Sequence, residues 1–218
     1  MFNVELNKVI KYLIYSDLIF YTGWGLISPI FAVFILQSIV GGSAFVVGMS
    51  AGVHLIVRSL LRIPFGMVAD SCERQNKAYW MMVAGLFIAA LVPFLFIYST
   101  LPWHIYALQA ILGVSLAMST AGWTGIFARH MDRGKESTEW GVDAVAVGLG
   151  PGIAGMLGGI AVTVMSFKTV FILVGVIGLI GVLLLFFIKK DVNMQCKETT
   201  RKDVHYSREG RRLKKKLH

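Results

Sequence analysis

The chain has 218 residues, and 56% of them are hydrophobic with a mean hydropathy of +0.69, which excludes an ordinary soluble protein, since soluble domains use about 45–50% apolar residues. Its net charge of +9 does not indicate nucleic-acid binding, because residues 189–218 hold eleven Lys or Arg against four acidic residues. A basic segment directly after a membrane helix is typical of an orientation signal in contact with anionic lipid, so we expect membrane lipids and no nucleic acid as partners.

Six apolar runs are long enough to cross about 30 Å of hydrocarbon. Each must be helical, because lipid offers no partner for open backbone groups. We therefore predict an all-α integral membrane protein with a six-helix transmembrane domain over residues 1–190 and a basic, disordered cytoplasmic tail over 191–218. The predicted spans are 12–40, 44–69, 78–98, 103–128, 142–167 and 169–188.

The loops between these spans alternate in charge. Residues 41–43 and 99–102 carry none, whereas 71–77 and 129–139 are rich in it. Lys and Arg mark the cytoplasmic side of a membrane protein. The sequence therefore predicts a multi-pass protein of the cell membrane with both termini in the cytoplasm.

Pro29 interrupts the first span, after Gly23 and Gly25. Proline lacks a backbone donor and clashes with the preceding turn. We expect a kink or a local unwinding of the helix there.

Ionisable side chains within spans are costly and are functional candidates. Here they are Asp17, His54, Arg58, Arg62 and Asp143. In the second span His54, Arg58 and Arg62 recur every four residues, so they project from one helix face. Asp17 in the first span lies at a depth that would allow it to pair with Arg58 or Arg62. One interpretation is a structural ion pair between neighbouring helices. The other is that Asp17 or His54 carries a coupling proton while Arg58 binds an anionic group of a cargo.

Other polar or aromatic side chains inside the spans extend this set of cavity candidates. The full set is Tyr15, Asp17, Tyr21, His54, Arg58, Gln109 and Trp123.

The fifth span is rich in glycine. Gly148 with Gly152, and Gly155 with Gly159, are small residues four apart that would allow another helix to approach closely. Pro151, which follows Gly150, favours a bend or hinge in this helix.

Residues 66–74 resemble the loop signature that joins the second and third helices in the major facilitator superfamily. Gly66 and Asp70 match in place and Arg74 supplies a basic group, but Glu73 stands where a glycine is usual and Ser71 where a basic residue is usual.

Two further stretches resemble the same superfamily. Gly150-Pro151, followed by Gly155 and Gly158-Gly159, looks like the fifth-helix motif of its exporters, and residues 132–136 look like the charged loop that precedes that helix. Gln109 and Gly113 loosely resemble its fourth-helix motif, without the usual arginine.

The resemblance implies a secondary transporter of small solutes that supplies one six-helix half of a two-half fold. A second copy or a partner half, related by a pseudo-two-fold axis along the membrane normal, would complete the transport path. It also implies a cytoplasmic gate at Gly66, Asp70 and Arg74, with Asp70 of one half facing the start of the fifth helix of the other.

Three alternatives come from other classes. A membrane-embedded enzyme is disfavoured, because the sequence lacks a Gly-x-Ser-Gly nucleophile, a Glu-Glu pair and a His or Cys metal cluster. We therefore predict no enzyme activity, no cofactor and no metal. A non-transporting assembly or regulatory subunit, and one half of a split transporter, remain open.

Overall fold

The computed structural model describes residues 6–70 and 75–192, and these ranges are almost entirely helical. The predicted gate residue Arg74 and nearly all of the predicted tail lie outside the described residues. The helices are α1 (Lys8–Ile27), α2 (Phe31–Ser38), α3 (Ala44–Ala69), α4 (Gln75–Phe96), α5 (Pro102–His130), α6 (Glu136–Val164) and α7 (Phe167–Leu185), followed by a 3-10 turn at Phe186–Ile188.

Five of these helices are long and apolar enough to cross a membrane, and α1 with α2 forms a sixth, broken span bent by 42°. The all-α fold with six spans is confirmed with that pair counted as one. The break lies where the sequence placed it, since α1 ends at Ile27 and α2 begins at Phe31, on either side of Pro29.

α6 begins at Glu136, six residues before the predicted start of the fifth span. Hydropathy finds only the part of a helix that lies in lipid. The first two turns of α6 are polar, but Glu136 and Glu139 place negative charge at the positive end of the helix dipole, which stabilises that extension.

The connections place successive spans antiparallel. The starts of α1, α4 and α6 lie at one end of the bundle with the ends of α3, α5 and α7, and we call this the basic end. There the Asn7 amide donates to the His130 carbonyl at 3.4 Å, and the Lys8 ammonium pairs with Asp191 at 2.8 Å. At the opposite end the Val40 amide donates to the Thr100 carbonyl at 2.9 Å.

The six spans form an open arc in the order α3, α5, α4, α7, α1, α6, in which each packs chiefly on its neighbours. Small residues allow the close approaches in the middle of the arc. A Cβ at Gly85 of α4 would collide with the backbone of Ser115 and Ser119 on α5. The Ser16 hydroxyl of α1 donates to the Gly181 carbonyl of α7 at 2.9 Å.

The contact between α1 and α6 uses a different face of α6 from the predicted glycine pairs. Within the chain, α6 meets α1 through Gly150, Pro151 and Gly158, where a Cβ at Gly150 would meet Thr22 and one at Gly158 would meet Leu26. Ala154 between them is buried. The predicted glycine pairs make little contact within the chain. A Cβ would meet open space at Gly148, Gly152 and Gly159, and at Gly155 only the Gly25 carbonyl, at 3.5 Å.

Pro151 does not interrupt α6, which stays helical through it. Its backbone lies directly against Gly25 of α1, where a side chain would clash. The hinge at Pro151 therefore remains a prediction.

Candidate transport cavity

The arc partly surrounds a cavity that lies between two limbs, one formed by α3 with α5 and the other by α1 with α6. Each of these four helices lines it with residues spaced three or four apart, which lie on one helix face. The stripes are Asp17, Phe20, Tyr21 and Trp24 on α1; His54, Arg58 and Arg62 on α3; Gln109, Leu112, Leu116, Ser119 and Trp123 on α5; and Trp140, Asp143, Val147 and Pro151 on α6.

The part of the cavity nearer the basic end, which we call the polar chamber, has a volume of about 240 Å³. Its charged side chains are two carboxylates, Asp17 and Asp143, and two guanidinium groups, Arg58 and Arg62. Asp143 is only 8% exposed. Ionisable groups are concentrated here at membrane depth, where they are costly unless used.

The part nearer the opposite end, which we call the apolar chamber, has a volume of about 410 Å³. Its walls are aromatic and aliphatic, with His54, Gln109 and Ser28 as polar members. Tyr21 and Val147 line both chambers, so the two adjoin. A large apolar volume with a few polar groups is the usual composition of a small-molecule site.

The expected ion pair between Asp17 and Arg58 or Arg62 does not form. Over the described ranges, the ion pairs within 4.0 Å are Lys8 with Asp191 and Lys135 with Asp132. Helix depth placed Asp17 and the two arginines at the same level, and all three line the polar chamber, but Asp17 comes from the limb opposite the arginines.

Several buried polar atoms of the lining residues have no hydrogen-bond partner among the described residues. They are Trp123 Nε1 and Asp143 Oδ1 in the polar chamber, and Trp24 Nε1 and His54 Nδ1 in the apolar chamber. Buried polar groups in native proteins are nearly always satisfied. These four atoms therefore mark where a ligand could donate or accept hydrogen bonds.

All six principal candidates from the sequence line the cavity. Asp17, Arg58 and Trp123 lie in the polar chamber and His54 and Gln109 in the apolar chamber, while Tyr21 lines both. Tyr15 does not line either chamber. It is 48% exposed and contacts the edge of the Tyr12 ring instead.

Sequence reasoning missed two aromatic contributors to the lining. Phe20 and Trp24 were not distinguished from core residues, although they lie three and seven residues after Asp17 on the same stripe. Asp143, one of the ionisable residues identified within the spans, and Trp140 also contribute. Both line the polar chamber, where the Trp140 ring lies 5.7 Å from that of Trp123.

The predicted gate residues lie at the basic end of α3. Asp70 is the exposed C-cap of that helix, and a Cβ at Gly66 would meet open space. The Arg129 guanidinium of α5 donates to the Ala69 carbonyl, beside Asp70. This contact fastens the end of α3 to α5 within the chain.

Among the described residues, no group of three His, Cys, Asp or Glu side chains is placed to hold a metal ion. The acidic pair of the polar chamber faces arginines, so its chemistry suits a charged organic solute. The cavity can therefore bind a solute by charge, hydrogen bonding and aromatic contact.

Comparison with known proteins agrees with this architecture. Residues 14–216 match the Major Facilitator Superfamily, and a search of curated proteins found no match. The matched range extends over all six spans and therefore includes the helices that form the arc and line its cavity. The chain therefore belongs to the Major Facilitator Superfamily, a family of multi-pass membrane proteins that act as secondary transporters of small solutes.

Proposed function

We propose that this chain forms one half of a solute transporter that works by alternating access, completed by a second copy of itself or by a partner half. The observation that carries the proposal is the open mouth of the arc. Charged residues line a cavity there that this chain closes on one side only. A facing half would enclose it and remove its charges from lipid.

The two end helices of the arc have the free surfaces that such a partner requires. In α3 only 11% of the most apolar stretch is buried within the chain, and in α6 only 17%. The glycine stripe at 148, 152, 155 and 159 runs along the largely uncovered face of α6, so another helix could approach its backbone closely. A homodimer is the simplest completion, with α3 of one copy against α6 of the other.

Coupling to protons would act through Asp17. This carboxyl is half-buried on α1 and lines the polar chamber without an ion-pair partner in the described part of the chain. His54 is the second candidate for the proton, and Arg58 would bind an anionic group of the cargo. Protonation of Asp17 would change the charge of the chamber and so shift the equilibrium between the two conformations that alternating access uses.

The orientation proposed from the sequence places the basic end in the cytoplasm. Lys8, Lys11, Lys77, Arg133 and Lys189 lie at that end, whereas Lys168 is the basic residue of the opposite loops. This distribution follows the positive-inside rule for the cell membrane. Both termini would then be cytoplasmic.

The gate would lie at the same end. Asp70, exposed at the C-cap of α3, would face the start of α6 in the other half, where the helix dipole favours an anion. Gly66 and Arg74 complete the motif. Replacing Asp70 by Asn would then reduce both transport and association of the halves, and unchanged values of both would contradict the gate.

Crosslinking tests the completed cavity most directly. Gly66 on α3 and Gly141 on α6 both have open space where a Cβ would lie, and both are within about 8 Å of the basic end. A chain that lacks Cys72 and Cys196 and carries one cysteine at each of these two positions should form a crosslinked dimer in lipid nanodiscs. The native mass should equal two chains.

A matched control uses Leu183 of α7, which is 59% exposed on a helix in the middle of the arc. Cysteines at Gly66 and Leu183 should not crosslink two chains. A monomeric mass without the first crosslink would exclude the homodimer. Uptake by proteoliposomes containing the chain alone would then decide whether a separate partner half is needed.

A further inference from the structure

The charges of the polar chamber are sorted by limb. Asp17 and Asp143 come from α1 and α6, and Arg58 and Arg62 come from α3 on the opposite limb. The two carboxylates and two guanidinium groups give the chamber a formal charge of zero. None of these four makes an ion pair with another within the described ranges.

A ligand with a single charge would leave one of these walls uncompensated. Unpaired charges removed from water are strongly destabilising. The Asp143 side chain is buried, being only 8% exposed, and its Oδ1 has no hydrogen-bond partner among the described residues. On the opposite wall, the Arg58 guanidinium of α3 lies beside the hydroxyl of Tyr21, which reaches it from α1. A ligand with a cationic and an anionic group would satisfy both walls together.

The apolar chamber indicates what the rest of that ligand is. It adjoins the polar chamber at Tyr21 and Val147 and is lined by Phe20, Trp24 and Leu116 among other apolar side chains. Its volume of about 410 Å³ exceeds that of the polar chamber. An apolar body held there would extend directly from a charged group held between Asp143 and Arg58.

We infer that the cargo is an amphipathic zwitterion of the amino-acid type, with its ammonium group at Asp143, its carboxylate at Arg58 and an apolar side chain in the apolar chamber. This inference rests on the proposed transport function and specifies its substrate class. Asp17 stays available for the coupling proton, since Asp143 compensates the cationic group.

Four matched compounds test each element of the ligand. Phenylalanine carries both charges and an apolar body, phenylalaninamide lacks the anion, N-acetylphenylalanine lacks the cation, and glycine lacks the body. Their dissociation constants are measured by competition against radiolabelled phenylalanine on the full chain in nanodiscs. Phenylalanine should bind, and each of the other three should bind at least about tenfold more weakly.

Two variants assign the charges to their walls. Asp143→Asn should abolish the preference for phenylalanine over its N-acetyl derivative, and Arg58→Gln should abolish the preference over its amide. Two variants serve as controls, Glu139→Gln and Arg133→Gln. The Glu139 carboxyl is buried one turn before Asp143 on α6 and accepts a hydrogen bond from the Asp132 backbone amide, and Arg133 lies in an exposed loop. Both controls should retain the two preferences.

The outcomes separate this inference from the proposed function. Equal binding of phenylalanine and either singly charged derivative would overturn the zwitterion. So would the absence of binding by all four compounds in a protein that forms the Gly66–Gly141 crosslink. Binding with the expected preferences, but no uptake into proteoliposomes, would instead overturn transport and leave the ligand class standing.

Discussion

The middle helices α4 and α5 and the end helices α3 and α6 have similar mean hydropathy but different surroundings. Within the chain, 56% of the most apolar stretch of α4 and 61% of that of α5 is buried, against 11% for α3 and 17% for α6. Close approaches at small residues join every helix to its neighbours, but each middle helix has a neighbour on both sides, whereas each end helix has one and presents an open face. Hydropathy alone therefore does not distinguish a helix that is packed on both sides from one that leaves a face uncovered.

The largest effect should come from adding one methyl group in the middle. Gly85→Ala places its Cβ against the backbone of Ser115 and Ser119, which cannot yield as a side chain would. We expect a loss of about 1–3 kcal/mol in the free energy of unfolding. Thermal unfolding of the purified protein, followed by size-exclusion chromatography, measures it.

Gly148→Ala is the matched change on an end helix. Open space surrounds that position within the single chain, so in the monomer the same methyl group should cost nothing and stabilise the helix by up to about 1 kcal/mol. Equal losses at Gly85 and Gly148 would mean that the packing of the middle and of the ends does not differ.

The sequence predicts where a residue lies along its helix better than it predicts how the helices are arranged around one another. The spans follow from the demand of lipid for apolar helices, and Pro29 marks the break by its missing donor. Depth along each helix was also predictable, which is why Asp17 and Arg58 were placed at one level. Their separation across the cavity depends on the order of helices in the arc, which no single helix encodes.

The lining of the cavity divides in the same way. Charged residues such as Arg58 were found because a charge at membrane depth requires a use. Phe20 and Leu116 were not, because an apolar residue in a span has the same pattern whether it faces lipid, core or cavity. The sequence also does not show which glycines of α6 contact α1. Gly150 and Gly158 meet α1, whereas Gly148 and Gly152 have open space beside them.

A change on the open stripe should have the second largest effect, on association rather than folding. Gly152→Leu adds bulk where a Cβ now meets open space. In the proposed homodimer it would hold the facing helix away. We expect association in lipid to weaken at least about tenfold, or about 1.4 kcal/mol, with unfolding of the single chain unchanged. Native mass measured over a dilution series in lipid tests this.

Ala84→Leu serves as its control, since Ala84 is exposed on α4 in the middle of the arc. The same added bulk there should leave association unaffected. If Gly152→Leu also leaves the dimer intact, α6 does not form the interface, and the two ends of the arc are not equivalent binding surfaces.

The smallest effect concerns single hydroxyl groups. Ser16→Ala removes a buried hydrogen bond that joins α1 to α7 in the middle of the arc, and interhelical bonds of this kind contribute about 0.6 kcal/mol in membrane proteins. Thr163→Ala on α6 removes a hydroxyl that bonds only to the Ile160 carbonyl of its own helix at an exposed position. It should cost nothing and gain slightly from the higher helix propensity of alanine. Unfolding of both variants, measured side by side, should therefore shift in opposite directions. Shifts of the same sign and size would show that hydrogen bonds between helices stabilise the middle no more than those within an end helix.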